Sequence, residues 1–171
     1  MSDAVNIVAN FDLDKIIREA NDQVELTIAG VINALEIACR ETVKAARLLP
    51  SPPIDMIGKP HQPNYIDQTA YLRSSIGFAI YNRGQLIQED FSGTEKANAG
   101  EKAPQGQATG RNLANEIAGK FNDCIVAVVV CGAEYAAAVE SKGYDVLTGS
   151  AKELGNIFKG YIAEVKAAHG L

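Results

Sequence analysis

The feature that most limits what this chain can fold into is a proline-free stretch over residues 14–47 that has the pattern of one long helix. Its apolar or small residues recur at alternating steps of three and four, as one face of a helix requires. At 1.5 Å per residue such a helix is roughly 50 Å long, whereas a compact globule of this chain length is only about 40 Å across. The helix must therefore break, most naturally at Gly30, or extend beyond the globule and pack against a neighbouring subunit.

Five prolines between residues 50 and 63 end this helix and predict an irregular connection over residues 50–68. The apolar residues then alternate from Leu72 to Ile80, which predicts a half-buried strand and is compatible with a helical turn at its start. A turn over residues 82–85 and a second strand over 86–91 complete a predicted β-hairpin, in which glycine supplies a positive φ.

Residues 92–109 hold almost no large apolar side chain, so we expect a mobile loop there. A short helix is predicted over 109–121. The continuous apolar run at 125–130 is typical of a strand that is covered on both faces, and we expect it at the centre of the sheet.

The periodicity of residues 135–140 fits a further strand or a short helix equally well. Ser150 and Glu153 form a capping box that predicts the start of a closing amphipathic helix over residues 151–168. The order of elements predicts a single α+β domain over residues 1–171. In it, a long N-terminal helix and a C-terminal helix pack on one face of a small, mainly antiparallel sheet.

Charge and composition narrow the choice of partner. The net charge of −5 repels phosphate backbones, and no local basic patch compensates, so sequence-specific binding of nucleic acid is not expected. The longest apolar run, over residues 124–131, is less than half of the roughly 20 residues that a membrane-spanning helix needs. A protein partner is favoured, and the basic set Lys142, Lys152 and Lys159 could meet an acidic surface.

Residues that could carry chemistry are few. The three cysteines form no C-x-x-C pair, so we predict no metal site and interpret Cys39, Cys124 and Cys131 as reduced core or near-core residues. Ser74 or Ser75 with His61 as base would make a hydrolase site, but serines beside a strand are usually structural. Three carboxylates cluster in sequence and are explained by surface charge, or by an ion pair between Glu140 and Arg73: Glu134, Glu140, Asp145. We predict no catalytic, cofactor-binding or metal-binding residue.

Two stretches, read in order, resemble a family of tailed-phage minor structural proteins variously called tail-completion, neck or head-to-tail joining proteins. Residues 69–76 (TAYLRSSI) are similar to the family's T-G-x-L-R-x-S-I signature, with Ala70 where the family usually has glycine. Residues 128–143 resemble its strand followed by Y-A-x-x-V-E-x-G, with two residues, Ser141 and Lys142, between Glu140 and Gly143 where the family tends to place glycine sooner. With the long helix before and the closing helix after, the resemblance covers roughly residues 14–165.

The resemblance implies an α+β virion protein without catalysis or cofactors, which assembles as a ring at the head-proximal end of the tail. Its partners would be copies of itself and other tail or connector proteins, in the virion and, during assembly, in the bacterial cytoplasm. Leu72 and Tyr135 would pack the core near the motif, and Arg73 and Glu140 would form a structural or intersubunit ion pair. Residues 92–109 and the proline-rich loop would contact neighbouring subunits.

Two other functions remain open from the sequence. One is a small intracellular hydrolase that uses the Ser74 or Ser75 region or the carboxylates near Glu140. The other is an adaptor whose long helix forms a coiled-coil dimer through residues such as Val24 and Leu35.

Overall fold

A computed structural model describes residues 12–52, 54–57, 59, 64–92 and 100–169. The predicted α+β class is confirmed: a long N-terminal helix and a C-terminal helix accompany a small antiparallel sheet of three strands. A single 3-10 turn covers Ile54–Met56, and the other elements are α1 (Leu13–Arg47), α2 (Tyr71–Ser74), β1 (Ile76–Asn82), β2 (Gln85–Asp90), α3 (Ala103–Ala118), β3 (Ile125–Cys131), α4 (Ala136–Ser141) and α5 (Thr148–His169).

Helix α1 runs without a break and extends beyond the rest of the fold. Asp12 caps it, because its side chain accepts a hydrogen bond of 3.0 Å from the N–H of Lys15. The predicted break at Gly30 is absent, since one glycine costs only about 1 kcal/mol in a helix whose hydrogen bonds are otherwise intact. Residues 12–26 are all exposed, whereas buried residues begin at Ala34. The alternative of an overhanging helix is therefore confirmed.

Strand β1 lies at the centre of the sheet, between β2 and β3. The prediction that residues 125–130 form the central strand is wrong, because β3 is paired on one edge only, although α1 and α3 contact its two faces. Continuous apolar sequence reports coverage of both faces and carries no information about lateral neighbours. β1 is itself buried on both faces from Ile76 to Tyr81, and is more buried than the predicted half-covered strand.

Helices cover both faces of the sheet, so the expectation of helices on one face only is wrong. Ile76, Phe78 and Ile80 point towards α1 in the larger core cluster. The intervening Ala79 and Tyr81 pack in a second cluster with α3. The two clusters follow the alternation of a strand, whose successive side chains point to opposite faces.

The predicted mobile loop over residues 92–109 is wrong from residue 103 onwards, where the structure has a helix. α3 begins at Ala103 and has Pro104 in its first turn, and residues 93–99 of the predicted loop lie outside the described residues. The small residues that resembled loop composition are the packing face of α3. A Cβ added at Gly106 would overlap Ser74 and the carbonyl oxygen of Tyr71, so this face sits almost directly on the backbone of α2.

Other boundaries shift by smaller amounts. The hairpin is confirmed, with φ of 50° at Arg83 and 77° at Gly84, the two positive values that a tight two-residue β-turn needs. Residues 136–141 form a helix, which decides the alternative left open above. α5 begins at Thr148, three residues before the predicted start.

Cys124 is exposed, contrary to prediction, because it precedes the edge strand β3, while Cys39 is buried and Cys131 partly buried.

Candidate functional site

The first motif, residues 69–76, forms the tight connection into the central strand. Ala70 has φ 60° and ψ 11°, a left-handed conformation that glycine adopts without steric cost, and it is the position where the resembled family usually has glycine. Leu72 is 1 % exposed and packs in the larger core cluster, as predicted. The motif thus fixes a backbone path and an anchor in the core.

Ser74 and Ser75 are completely buried, and their hydroxyl groups bind backbone atoms. The Oγ of Ser75 donates to the carbonyl of Leu72 at 2.7 Å and accepts from the N–H of Ala133 at 3.0 Å. These bonds join α2 to the segment that follows β3. The base suggested from the sequence, His61, lies outside the described residues. A serine nucleophile would need access to substrate, which this burial denies to both hydroxyl groups.

Arg73 is buried against the C-terminal end of α1. Its Nη1 donates to the carbonyl of Arg47 at 2.8 Å, and its guanidinium lies 5.2 Å from the ring centroid of Tyr65. A cation is favoured there, because the last carbonyl groups of a helix lack partners within it. The prediction that Arg73 and Glu140 form an ion pair within one subunit is wrong, because Arg73 binds the end of α1 and Glu140 binds the start of α5. At 4 % exposure, Arg73 also offers almost no surface to another subunit.

Glu140 caps the closing helix across a tertiary contact. Its Oε1 accepts from the N–H groups of Leu147 at 3.0 Å and Thr148 at 2.9 Å, and its Oε2 accepts from the Thr148 hydroxyl at 2.7 Å. Burial raises the pKa of this carboxyl, but the hydrogen bonds outweigh burial and lower its pKa to about 2. The charge also faces the positive end of the α5 dipole. The sequence pattern pointed to Ser150 as the cap, because a capping carboxylate eight residues before the helix lies outside the four-residue spacing of a capping box.

Tyr135 lies on the surface, with 45 % of its area exposed, so the prediction that it packs the core is wrong. Its ring stacks on Tyr71 with 6.1 Å between the centroids, which brings the second motif against the first. Both rings line an open cavity of about 220 Å³ together with Lys102 and Glu134. Gly143 ends the second motif with φ 88°, in the region that favours glycine. The two motifs are therefore in contact with each other. The motif residues that match the family pattern mainly determine the path of the backbone.

Among the described residues, the largest group of exposed apolar side chains lies elsewhere, on residues 13–28 of α1, which we call the projecting segment. Four of its exposed members continue or flank the helix face that is buried further along α1: Leu13 (57 %), Ile16 (50 %), Ile17 (50 %), Val24 (56 %). Leu26, at 56 %, is exposed on the opposite side of the helix. The sequence signalled this surface through the length of the helix and its unbroken stripe. Monomeric proteins rarely expose contiguous apolar surface of this kind without a partner.

Within the described ranges, no group of three or more His, Cys, Asp or Glu residues is placed to hold a metal ion. No helix in the described part of the chain is sufficiently long and apolar to cross a bilayer. Comparisons with protein-family models, curated proteins and solved structures find no match to this chain.

Proposed function

We propose that this chain is a structural virion protein of a tailed phage or prophage, a tail-completion or neck subunit that joins tail to head as part of a ring. It acts through surfaces, without catalysis. Its partners are copies of itself and other tail or connector proteins, which it meets in the bacterial cytoplasm during assembly and retains in the virion. The observation that carries the proposal is the projecting segment of α1.

A helix that leaves its own fold with its apolar face uncovered needs a neighbour. Residues 12–26 are exposed on every side, yet Leu13, Ile17 and Val24 continue the stripe that packs the core further along the same helix. Complete burial of one such side chain is favourable by roughly 1.5–3 kcal/mol. Assembly with other subunits provides that burial.

The motif residues support a structural role. Ala70 and Gly143 hold left-handed backbone conformations, and Ser75 joins the two motifs through backbone hydrogen bonds. Residues used in this way determine the shape of a subunit. This use suits a virion protein better than it suits a hydrolase, whose nucleophile must reach substrate.

The proposal is tested by removing the gene from its phage or prophage and examining the particles by electron microscopy. We expect filled heads and completed tails to accumulate separately, and the purified protein to restore joining when it is added to the extract. Joined, infectious particles in the absence of the gene would contradict the proposal.

A coiled-coil adaptor is the second candidate, because the apolar residues of the projecting segment follow heptad-like spacing. Ile17, Val24 and Val31 are seven residues apart. The exposed part covers only about two heptads, however, whereas a stable coiled coil usually needs three to four. Mass measurement in solution separates the candidates, since an adaptor gives a dimer and a ring subunit gives a larger closed assembly.

A further inference from the structure

We infer that the projecting segment of one subunit packs along α5 of the next subunit, so that each contact in the ring joins two different surfaces of the same chain. This inference rests on the proposed ring assembly and specifies its interface. The arguments concern apolar surface, charge and symmetry.

The apolar surfaces of the two elements match. Within one chain, α5 already packs on the C-terminal half of α1, where the hydroxyl of Tyr161 donates to Glu41 at 3.0 Å. The projecting segment offers a continuation of that apolar helix, which its own α5 leaves exposed. The stripe of α5 is still only partly covered by its own chain at Ile157, Phe158, Ile162 and Val165. A second copy of the projecting segment can therefore cover the remainder.

The charges of the two elements are complementary. The projecting segment holds four acidic and two basic residues, a net charge of −2, whereas α5 holds three lysines against two glutamates. The lysines are Lys152, Lys159 and Lys166, which lie nearly in line because residues seven apart return to the same side of a helix. All three are exposed, and none forms a salt bridge to another described residue.

The proposed contact between the projecting segment and α5 also explains how the subunits can form a closed ring. Two different surfaces on one chain give a head-to-tail interface, which generates a ring when the rotation between subunits closes. Pairing of two projecting segments with each other would instead give a two-fold dimer, and would bring like charges together. Complementary charge in the head-to-tail arrangement attracts the correct surfaces and disfavours that dimer.

Paired charge reversals test the contact. In the first variant, Glu19→Lys and Glu25→Lys make the projecting segment basic; these exposed acids lie on either side of its apolar stripe. In the second variant, Lys159→Glu and Lys166→Glu make α5 acidic. We expect each variant alone to lose the ring, because like charges then face each other at every contact. An equimolar mixture should assemble again with the two variants alternating, and should close into a ring where the copy number is even. Analytical ultracentrifugation and negative-stain microscopy measure both results.

A matched control replaces two exposed lysines at the ends of α3, which packs on the other face of the sheet from α1, Lys102→Glu with Lys120→Glu, and should leave the ring intact. Rings that persist in the α5 variant, or a mixture in which the two variants do not associate with each other, would overturn this contact and leave the proposed function standing. A wild-type chain that stays monomeric up to millimolar concentration would overturn the contact. The phage deletion then decides the proposed function separately.

Discussion

At the scale of single residues, the acids and hydroxyls of the motifs act by binding backbone groups. Glu140 accepts hydrogen bonds at the start of α5, and Ser75 accepts one from Ala133. Buried backbone groups that lose their partners cost about 1–3 kcal/mol. Substitution of these residues should therefore reduce stability.

We predict that Glu140→Gln lowers the free energy of unfolding by about 1–2 kcal/mol at pH 7, the range found for loss of a helix cap. The carboxyl has a folded-state pKa of about 2 against an ordinary value of 4.5. The stability that its charge contributes is thus present above pH 4.5 and is lost as the pH falls towards 2.

Urea unfolding at a series of pH values measures this effect. The difference between wild type and Glu140→Gln should shrink below pH 4.5, while Glu153→Gln, an exposed position on the same helix, should change stability by less than about 0.5 kcal/mol. A difference that does not vary with pH would contradict the assigned role of the carboxylate.

Ser75→Ala should lower the free energy of unfolding by about 1–3 kcal/mol, because it leaves the buried amide of Ala133 without an acceptor. The exposed Ser141→Ala serves as the control and should be nearly neutral. A fully stable Ser75→Ala protein would show that the bond between the motifs is dispensable.

At the scale of elements, the packing of α3 on the sheet depends on glycine. A Cβ added at Gly110 would overlap the carbonyl oxygen of Ser75 and lie 2.9 Å from the ring of Phe91. Gly132 faces Gly110 from the end of β3 at a similarly close approach. Glycines that weaken a helix in isolation here allow the backbones to touch.

Gly110→Ala should therefore destabilise the protein by about 1–3 kcal/mol through overpacking. Gly155→Ala, in α5, meets nothing within 4 Å and should stabilise it by up to about 1 kcal/mol through helix propensity alone. Thermal unfolding of both variants checks the pair, and equal effects would contradict the close packing of α3.

At the scale of the whole molecule, α1 serves two purposes along one continuous stripe. Its C-terminal half is covered by the sheet and α5, whereas the projecting segment is left for assembly. The two halves should respond differently to the same substitution.

Val24→Asp should leave the free energy of unfolding of the isolated subunit within about 0.5 kcal/mol of wild type, but abolish larger assemblies. Leu35→Asp should destabilise the fold itself, because Leu35 packs against the buried cluster and would place a charge there. Circular dichroism and ultracentrifugation separate the two effects. Loss of folding in Val24→Asp would mean that the projecting segment is needed by its own subunit.

The sequence by itself determined the local features: the long helix α1, the Arg83-Gly84 hairpin and the α+β class, whereas the choice between a break and an overhang in α1 was decided by the structure. Each depends on periodicity, turn chemistry or length, which are properties of neighbouring residues. Only the tertiary structure decided that β1 is central, that Glu140 caps α5, that Arg73 binds the end of α1 and that Tyr135 is exposed. These depend on partners outside the local repeat, eight residues away for Glu140 and much further for the others, and a strand, an acid or a tyrosine has the same local pattern whichever partner it meets.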